Sequence, residues 1–388
     1  MAMLRPVGPA LHPLILGVCA LAIMAMGACA TAGSTPGVGE LLPEPKSVFD
    51  DPDLLDGETR YGRHVALSSE VRIVVAAPSD EIAERAVAVA FAAADSVERL
   101  VSVHIEGSEI RAINEAAGVR PVSVSPWTER IVLATIRWAD RTGGAFDPTV
   151  GPLAELWGFG IEVVRAPTPA ELESVRARIG YSRVEIDPEA HTVFLSDTGM
   201  RLDVRGAAKG FALDRMREAM EEVGATAALM EFDGDMLFFG QGPQNGRWPI
   251  LLADPYDPSR NYAYLVLPAG ALSTSSFYTR SIEIAGRRYG HVLDPRTGMP
   301  VSGVASVSVY AEQGILSDIL ATALFVMSCQ DGPQCNEAAA LVERYPELDA
   351  IIVPEPSAGD NAVVTVTSGL RPYLVRLQRP FRPPAEID

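Results

Sequence analysis

Three short segments of this 388-residue chain place chemically competent residues at telling spacings. The first is Asp203-Val-Arg-Gly-Ala-Ala-Lys209-Gly. Of the 32 basic residues only Lys46 and Lys209 are lysine, and the rest are arginine. A chain that writes nearly every cation as Arg, yet sets Lys in a glycine-rich turn, needs a compact point charge there. Free N–H groups at a helix mouth make an anion site, and phosphate is the usual anion. This segment alone is equally an ordinary loop-to-helix junction.

The second segment is His291-Val-Leu-Asp294-Pro-Arg-Thr-Gly298. A strand ends at His291, and Asp-Pro-Arg-Thr-Gly is strong turn chemistry. Histidine is scarce, at five in the chain. A His beside a carboxylate suits general-base work near neutral pH, and a histidine that only caps the turn is the even alternative. The third segment is Ser317-Asp318-Ile-Leu-Ala-Thr322. Asp318 and Thr322 share a helix face in an otherwise apolar stretch, where an unpaired buried carboxylate is costly. Mg²⁺ takes oxygen ligands and bridges to phosphate, which gives the pair a purpose. Taken alone, an Asp that starts the helix and a Thr bonded back into it is the simpler account.

The elements that must position these residues mix strands and helices without a βαβ rhythm, so the chain reads as α+β with antiparallel hairpins. Helices are expected at Glu81–Val101 with Asp80 as N-cap, from Ser125-Pro126 to Arg141, and from the Thr168-Pro-Ala-Glu171 capping box to Gly180. Further helices are expected at Phe211–Val223 with Gly224 as cap, Ser317–Met327 and Asn336–Tyr345. Val184–Ile186 and Thr192–Leu195 read as a hairpin. Strands are expected at Val71–Ala76, Ala227–Phe232, Trp248–Ala253, Ala263–Leu267, Arg280–Ala285, Ala305–Tyr310, Ala350–Val353 and Ala362–Thr367.

Residues 1–28 read as an export signal. The apolar run from Leu14 to Met26 is too short for a comfortable membrane span. Met26-Gly-Ala-Cys29 resembles a bacterial lipoprotein signal, which implies lipid on Cys29 and a membrane-anchored protein facing the periplasm. Residues 29–60 read as a flexible tether, 61–375 as the folded body and 376–388 as a Pro-rich tail. Cys329 and Cys335 flank a turn-like insert, and a disulfide there fits an oxidising compartment. The formal charge of −18 argues against nucleic acid as a partner. It also repels anions, so a phosphate ligand needs a local cation, naturally a divalent metal.

Together the three segments resemble the FAD:protein FMN transferase (ApbE) family. Gly143-Gly-Ala145-Phe146-Asp147-Pro-Thr and Leu272-Ser-Thr274-Ser before a strand agree with it. The likeness covers about residues 65–370. It implies mostly antiparallel mixed sheets with packed helices and a ligand cleft between two lobes. It implies Mg²⁺-dependent transfer of the FMN half of FAD to a Thr or Ser of an exported or membrane redox protein, with release of AMP. Some members instead hydrolyse FAD. By position Asp203 and Lys209 would contact FAD, with Thr274 in the cofactor site. Ala145, Phe146 and Asp147 would line the nucleotide pocket. Asp318, Thr322 and the Gly206 carbonyl would hold Mg²⁺. His291 would be the base and Asp294 its neighbour.

The chain departs from the pattern at Leu67-Ser68-Ser69, where the family writes Met-Gly-Thr. His104 stands where a Tyr would stack on the flavin ring, and it is a smaller, more polar platform. Arg205 replaces a glycine and would either clamp phosphate or crowd the loop. Asp233 and Ser276 also replace glycines. The expectation is an intact diphosphate and metal half with an altered flavin-ring half.

Overall fold

The computed structural model describes residues 47–158, 165–277, 281–284, 286–328, 335–355 and 363–378. In chain order the elements are β1 (Glu58–Ala66), β2 (Ser69–Ala77), α1 (Asp80–Val101), α2 (Glu109–Glu115), β3 (Val122–Ser123), α3 (Pro126–Arg141), α4 (Gly151–Trp157) and α5 (Pro169–Arg176). Then come β4 (Val184–Asp187), β5 (Thr192–Leu195), α6 (Arg205–Glu222), β6 (Ala227–Phe232), β7 (Asp235–Phe239), β8 (Trp248–Ala253), β9 (Asn261–Leu267) and β10 (Gly270–Ser276). The last are β11 (Ser281–Ile284), β12 (Arg287–Gly290), β13 (Val304–Ala311), α7 (Gly314–Met327), α8 (Cys335–Val342), β14 (Leu348–Pro354), β15 (Thr365–Val366) and β16 (Leu374–Leu377).

An eight-stranded sheet in the order β1-β2-β6-β7-β10-β13-β14-β15 forms the centre, antiparallel at every pairing. Its inner strands β6 and β14 are buried on both faces, which explains their apolar runs. Val71, Ile73 and Val75 of β2 face one core, while Val74 and Ala76 face another, the period-2 alternation of a strand. The first core is closed by α1, α6 and α7, and the second by the small sheet β16-β9-β8. Each fully buried Ile, Leu or Phe here contributes roughly 1.5–3 kcal/mol. A third apolar cluster joins Leu153 and Trp157 of α4 and Val175 of α5 to Ile284 of β11 and Leu293. It ties the segment after β12 to α4.

Several boundaries differ from expectation. Ser79, not Asp80, caps α1, its hydroxyl accepting from the Ile82 N–H at 3.4 Å. The glycine turn before Lys209 is itself helical, because α6 begins at Arg205, with a break at Gly206 (φ −78, ψ 16). Helix α5 stops at Arg176 rather than Gly180. The Val223 cap follows α6, and Gly224 takes the left-handed turn at φ +98. Strands β1, β7 and β10 and helix α2 are additions, and Leu272–Ser275 lie inside a strand rather than before one. The end of the expected tether is packed: Val48 and Leu55 are buried against the second core. Beyond the expected body end at 375, β16 runs to Leu377. The signal, Cys29, Cys329 and the tail beyond 378 fall outside the described residues, as does the proposed Cys329–Cys335 bond.

Candidate functional site

Two helices meet edge to edge because both carry glycine at the contact. A Cβ on Gly210 would overlap the Gly314 carbonyl and come within 2.7 Å of the Asp318 Cβ. This close approach brings the first turns of α6 and α7 together. Asp214 of α6 then accepts the Gly314 and Ile315 N–H groups at 2.7 and 2.9 Å, capping α7 from its neighbour. Burial raises the Asp214 carboxyl despite these two bonds. Ser317 is pinned from the other side by the Ser273 hydroxyl at 2.8 Å.

The result is a tight cluster of expected site residues. Asp318 accepts the Gly210 N–H at 3.0 Å. A Cβ on Gly206 would lie 3.4 Å from Thr322 Oγ1 and 3.1 Å from the Phe146 ring. So Gly206, Thr322 and Phe146 are neighbours. The Lys209 ammonium pairs with Asp235 at 2.6 Å and reaches the Asp233 carbonyl at 3.5 Å. Burial pulls Lys209 down, but the Asp235 and Asp318 carboxylates outweigh it and hold the ammonium above its ordinary value. Asp318 moves the other way: burial, then the charge of Asp235, pushes its carboxyl up to about 8.

These residues fit a hard divalent cation. Asp318 is a buried carboxylate that shares the one Lys209 ammonium with Asp235, and Thr322 adds a hydroxyl one turn on. The non-helical ψ at Gly206 turns its carbonyl out of the regular ladder. Among the described residues no group of three or more His, Cys, Asp or Glu could hold a metal. A single carboxylate with a hydroxyl and a carbonyl suits Mg²⁺, which keeps waters and takes substrate oxygens.

Ala145, Phe146 and Asp147 sit beside this cluster because two segments are stitched together. The Asp203 N–H donates to the Pro148 carbonyl at 2.7 Å, and Val150 bridges Arg201. Ala145 and Phe146 are buried. The Asp147 carboxylate faces inward, accepting from Thr149 N–H and hydroxyl at 2.8 and 2.6 Å and from the Tyr181 N–H at 3.1 Å. Asp203 is held by Arg205 through its Nε and Nη2 at 2.5–3.0 Å. Thr274 shares a 2.8 Å hydrogen bond with Ser308 across β10 and β13. His104 is exposed on the loop between α1 and α2.

His291 is half-buried immediately after β12. Its loop closes on itself, with the Asp294 N–H donating to the Met299 carbonyl and the Gly298 N–H to the Asp294 carbonyl, at 2.9 and 2.8 Å. Trp157 Nε1 donates to the Gly298 carbonyl at 2.8 Å, fixing the loop to α4. The Asp294 carboxylate is 1 % exposed and accepts from Arg296 N–H, Nε and Nη2 at 2.9–3.0 Å.

Sequence reasoning missed Asp235 and Asp214. Asp233-Gly234-Asp235 follows an expected strand, and Asp-Gly is a hairpin signal that would have put Asp235 at the start of the return strand. The departures have structural form too. Leu67 and Ser68 occupy a two-residue hairpin turn with φ +49 and +61, and Asp233 turns the next hairpin at φ +53. The two turns touch, Ser69 donating to the Asp233 carboxylate at 3.3 Å.

A mostly antiparallel mixed sheet with packed helices is the architecture of the ApbE flavin transferases. A model of the ApbE family matches residues 67–352, and the chain belongs to that family. It is 28 % identical over 298 residues to the FAD:protein FMN transferase of Treponema pallidum, covering 73 % of this chain and 80 % of that one. Its fold superposes on the crystal structure of the ApbE protein of Thermotoga maritima with a TM-score of 0.73 at 31 % identity, covering 81 % of this chain and 99 % of that one. The flavin transferase ApbE of Vibrio cholerae gives 0.71 at 25 % identity over 82 % and 99 %.

Proposed function

We propose that this chain is an FAD:protein FMN transferase, carrying FMN from FAD to a hydroxyl of a redox protein. The observation that carries the reading is the convergence of Lys209, Asp318, Thr322 and Gly206 at adjoining helix mouths. Such a cluster can accept a diphosphate through a divalent cation and the Lys209 ammonium. His291 takes the proton from the acceptor Ser or Thr hydroxyl. The hydroxyl oxygen bonds to the FMN-side phosphorus, the bond from that phosphorus to the bridging oxygen breaks, and AMP leaves with that oxygen. Asp318, Thr322 and the Gly206 carbonyl would hold Mg²⁺, which when bound would supply charge neutralisation at the diphosphate. Lys209 adds a fixed positive charge where negative charge develops.

Phe146 with Ala145 offers apolar surface to the nucleotide, while Asp147 holds that loop through its inward bonds. The Met26-Gly-Ala-Cys29 run supports export, lipid on Cys29 and a periplasmic membrane site of action. The test incubates the exported form with FAD, Mg²⁺ and a candidate acceptor domain, following AMP and covalent flavin fluorescence in a denaturing gel. Both signals are expected, and both should vanish in His291→Ala and in Asp318→Ala. AMP without labelled acceptor would favour FAD hydrolysis, and intact FAD would make the chain a flavin binder.

A further inference from the structure

We propose that Asp235 is a positioning residue for the transfer, holding the Lys209 ammonium where the diphosphate must arrive. The inference rests on the reading of Lys209 as the diphosphate cation. Asp235 opens β7, opposite Phe232 of β6 and Ser273 of β10. Residues directly opposite in a sheet share a face, so Asp235 and Ser273 point together at the helix layer. Each reaches one helix of the site: Asp235 binds Lys209 of α6, and Ser273 binds Ser317 of α7.

The central sheet thus sets the Lys209 charge and the residue preceding Asp318 from adjacent positions. Both partners of the ion pair are withdrawn from water, the Asp235 side chain being 5 % exposed and Lys209 23 %. A buried ion pair is seldom the most stable way to fill such a space, so retaining one there points to a role other than stability. The lysine stem is four carbons long and flexible, and a short strand-borne carboxylate is what limits where its charge can sit. The Asp233 carbonyl, at the neighbouring turn, is the second fixed acceptor.

Removing the Asp235 charge should have a signature that simple loss of structure lacks. An anion beside the diphosphate is gone, so ground-state binding holds or tightens, while the unguided ammonium stabilises the transition state less well. The experiment compares the full chain with Asp235→Asn, Lys209→Met and the double variant. ADP with Mg²⁺ is titrated by calorimetry, AMP release gives kcat and KM, and acetic anhydride labelling is read by mass spectrometry. Lys46 is the other lysine of the chain, so its peptide is an internal standard.

In Asp235→Asn, Lys209 labelling is expected to rise several-fold against Lys46. The kcat should fall by roughly 10- to 100-fold, with ADP affinity unchanged or tighter. The double variant should be no slower than Lys209→Met, within about 2-fold, because the two residues act as one unit. Multiplying losses, or unchanged labelling, overturns the proposal. Loss of ADP binding together with turnover would make Asp235 a structural residue only. If the parent chain makes no AMP, the transferase reading fails, and the labelling ratio still decides the pin.

Discussion

Burial and the neighbouring Asp235 push the Asp318 carboxyl up to about 8, far above its ordinary value. In the folded chain it keeps its proton until about pH 8, while the unfolded chain loses it near pH 4. The stability this contributes is complete below the unfolded value and is lost as pH rises through the folded one. A divalent cation reverses that trend, since it binds the carboxylate and displaces the proton. The rise in thermal midpoint on adding Mg²⁺ should therefore be larger at about pH 8.5 than at about pH 6. A rise of equal size at both would remove Asp318 from the ligand set. Arg205 stands where the family resemblance led to an expected glycine, and its Nε and Nη2 donate to Asp203. Arg205→Gly frees those carboxylate oxygens, so FAD affinity by titration should increase. A decrease would instead assign the guanidinium to phosphate. Lys209, Asp318 and Thr322 stood out by type and spacing, as one rare lysine and one carboxylate with a hydroxyl a turn later in an apolar helix, whereas Gly206 was named only through the family resemblance. Asp235 did not stand out, because an acid after a turn looks like solvent-facing punctuation, and only sheet pairing turns it inward.

The elements that matter most are α6 and α7, and neither positions itself. The N-cap residue of α7, Gln313, makes no side-chain cap bond, and Asp214 of α6 does that work instead. Asp214→Ala should leave two buried N–H groups unpaired and cost about 1–3 kcal/mol of stability, visible in urea unfolding. Because Asp318 is one turn further along α7, the same change should weaken Mg²⁺ binding more than it weakens binding of FMN alone. Equal weakening would mean that the cap supports the fold without addressing the metal. Helices with complete local signals were readable from sequence, such as α3 with its Ser125 cap and Pro126 start. So were the apolar strands β6 and β8, whose bounds agree residue for residue. Strand β10, Gly270-Ala-Leu-Ser-Thr-Ser-Ser, has little intrinsic strand preference. It is a strand because β7 and β13 flank it, information that lies elsewhere in the chain. The run before Phe211 looked like a turn for its glycines, yet Ala207, Ala208 and the packing of α7 carry the helix back to Arg205.

At the scale of the molecule the His291 loop spans two cores, Val292 and Val301 packing with the residues around the cation cluster and Leu293 packing with α4. Trp157 is the bolt between the loop and α4. Trp157→Phe should leave the Gly298 carbonyl unpaired, costing about 1–2 kcal/mol. It should lower transfer to acceptor while FAD binding stays intact, a difference read by comparing kcat with the FAD dissociation constant. The order of assembly follows from the register of the central sheet. Val71 faces Phe232 there, about 160 positions later in the chain, so closing that pair costs loop entropy before any reward arrives. Folding from denaturant is then slow, as for other long-range β topologies. Lys209 meets Asp235 only once β7 lies beside β6, so a nucleotide that recognises the finished cluster becomes a clock for the last event of folding. Chain collapse and helix content return earlier and carry no news of it.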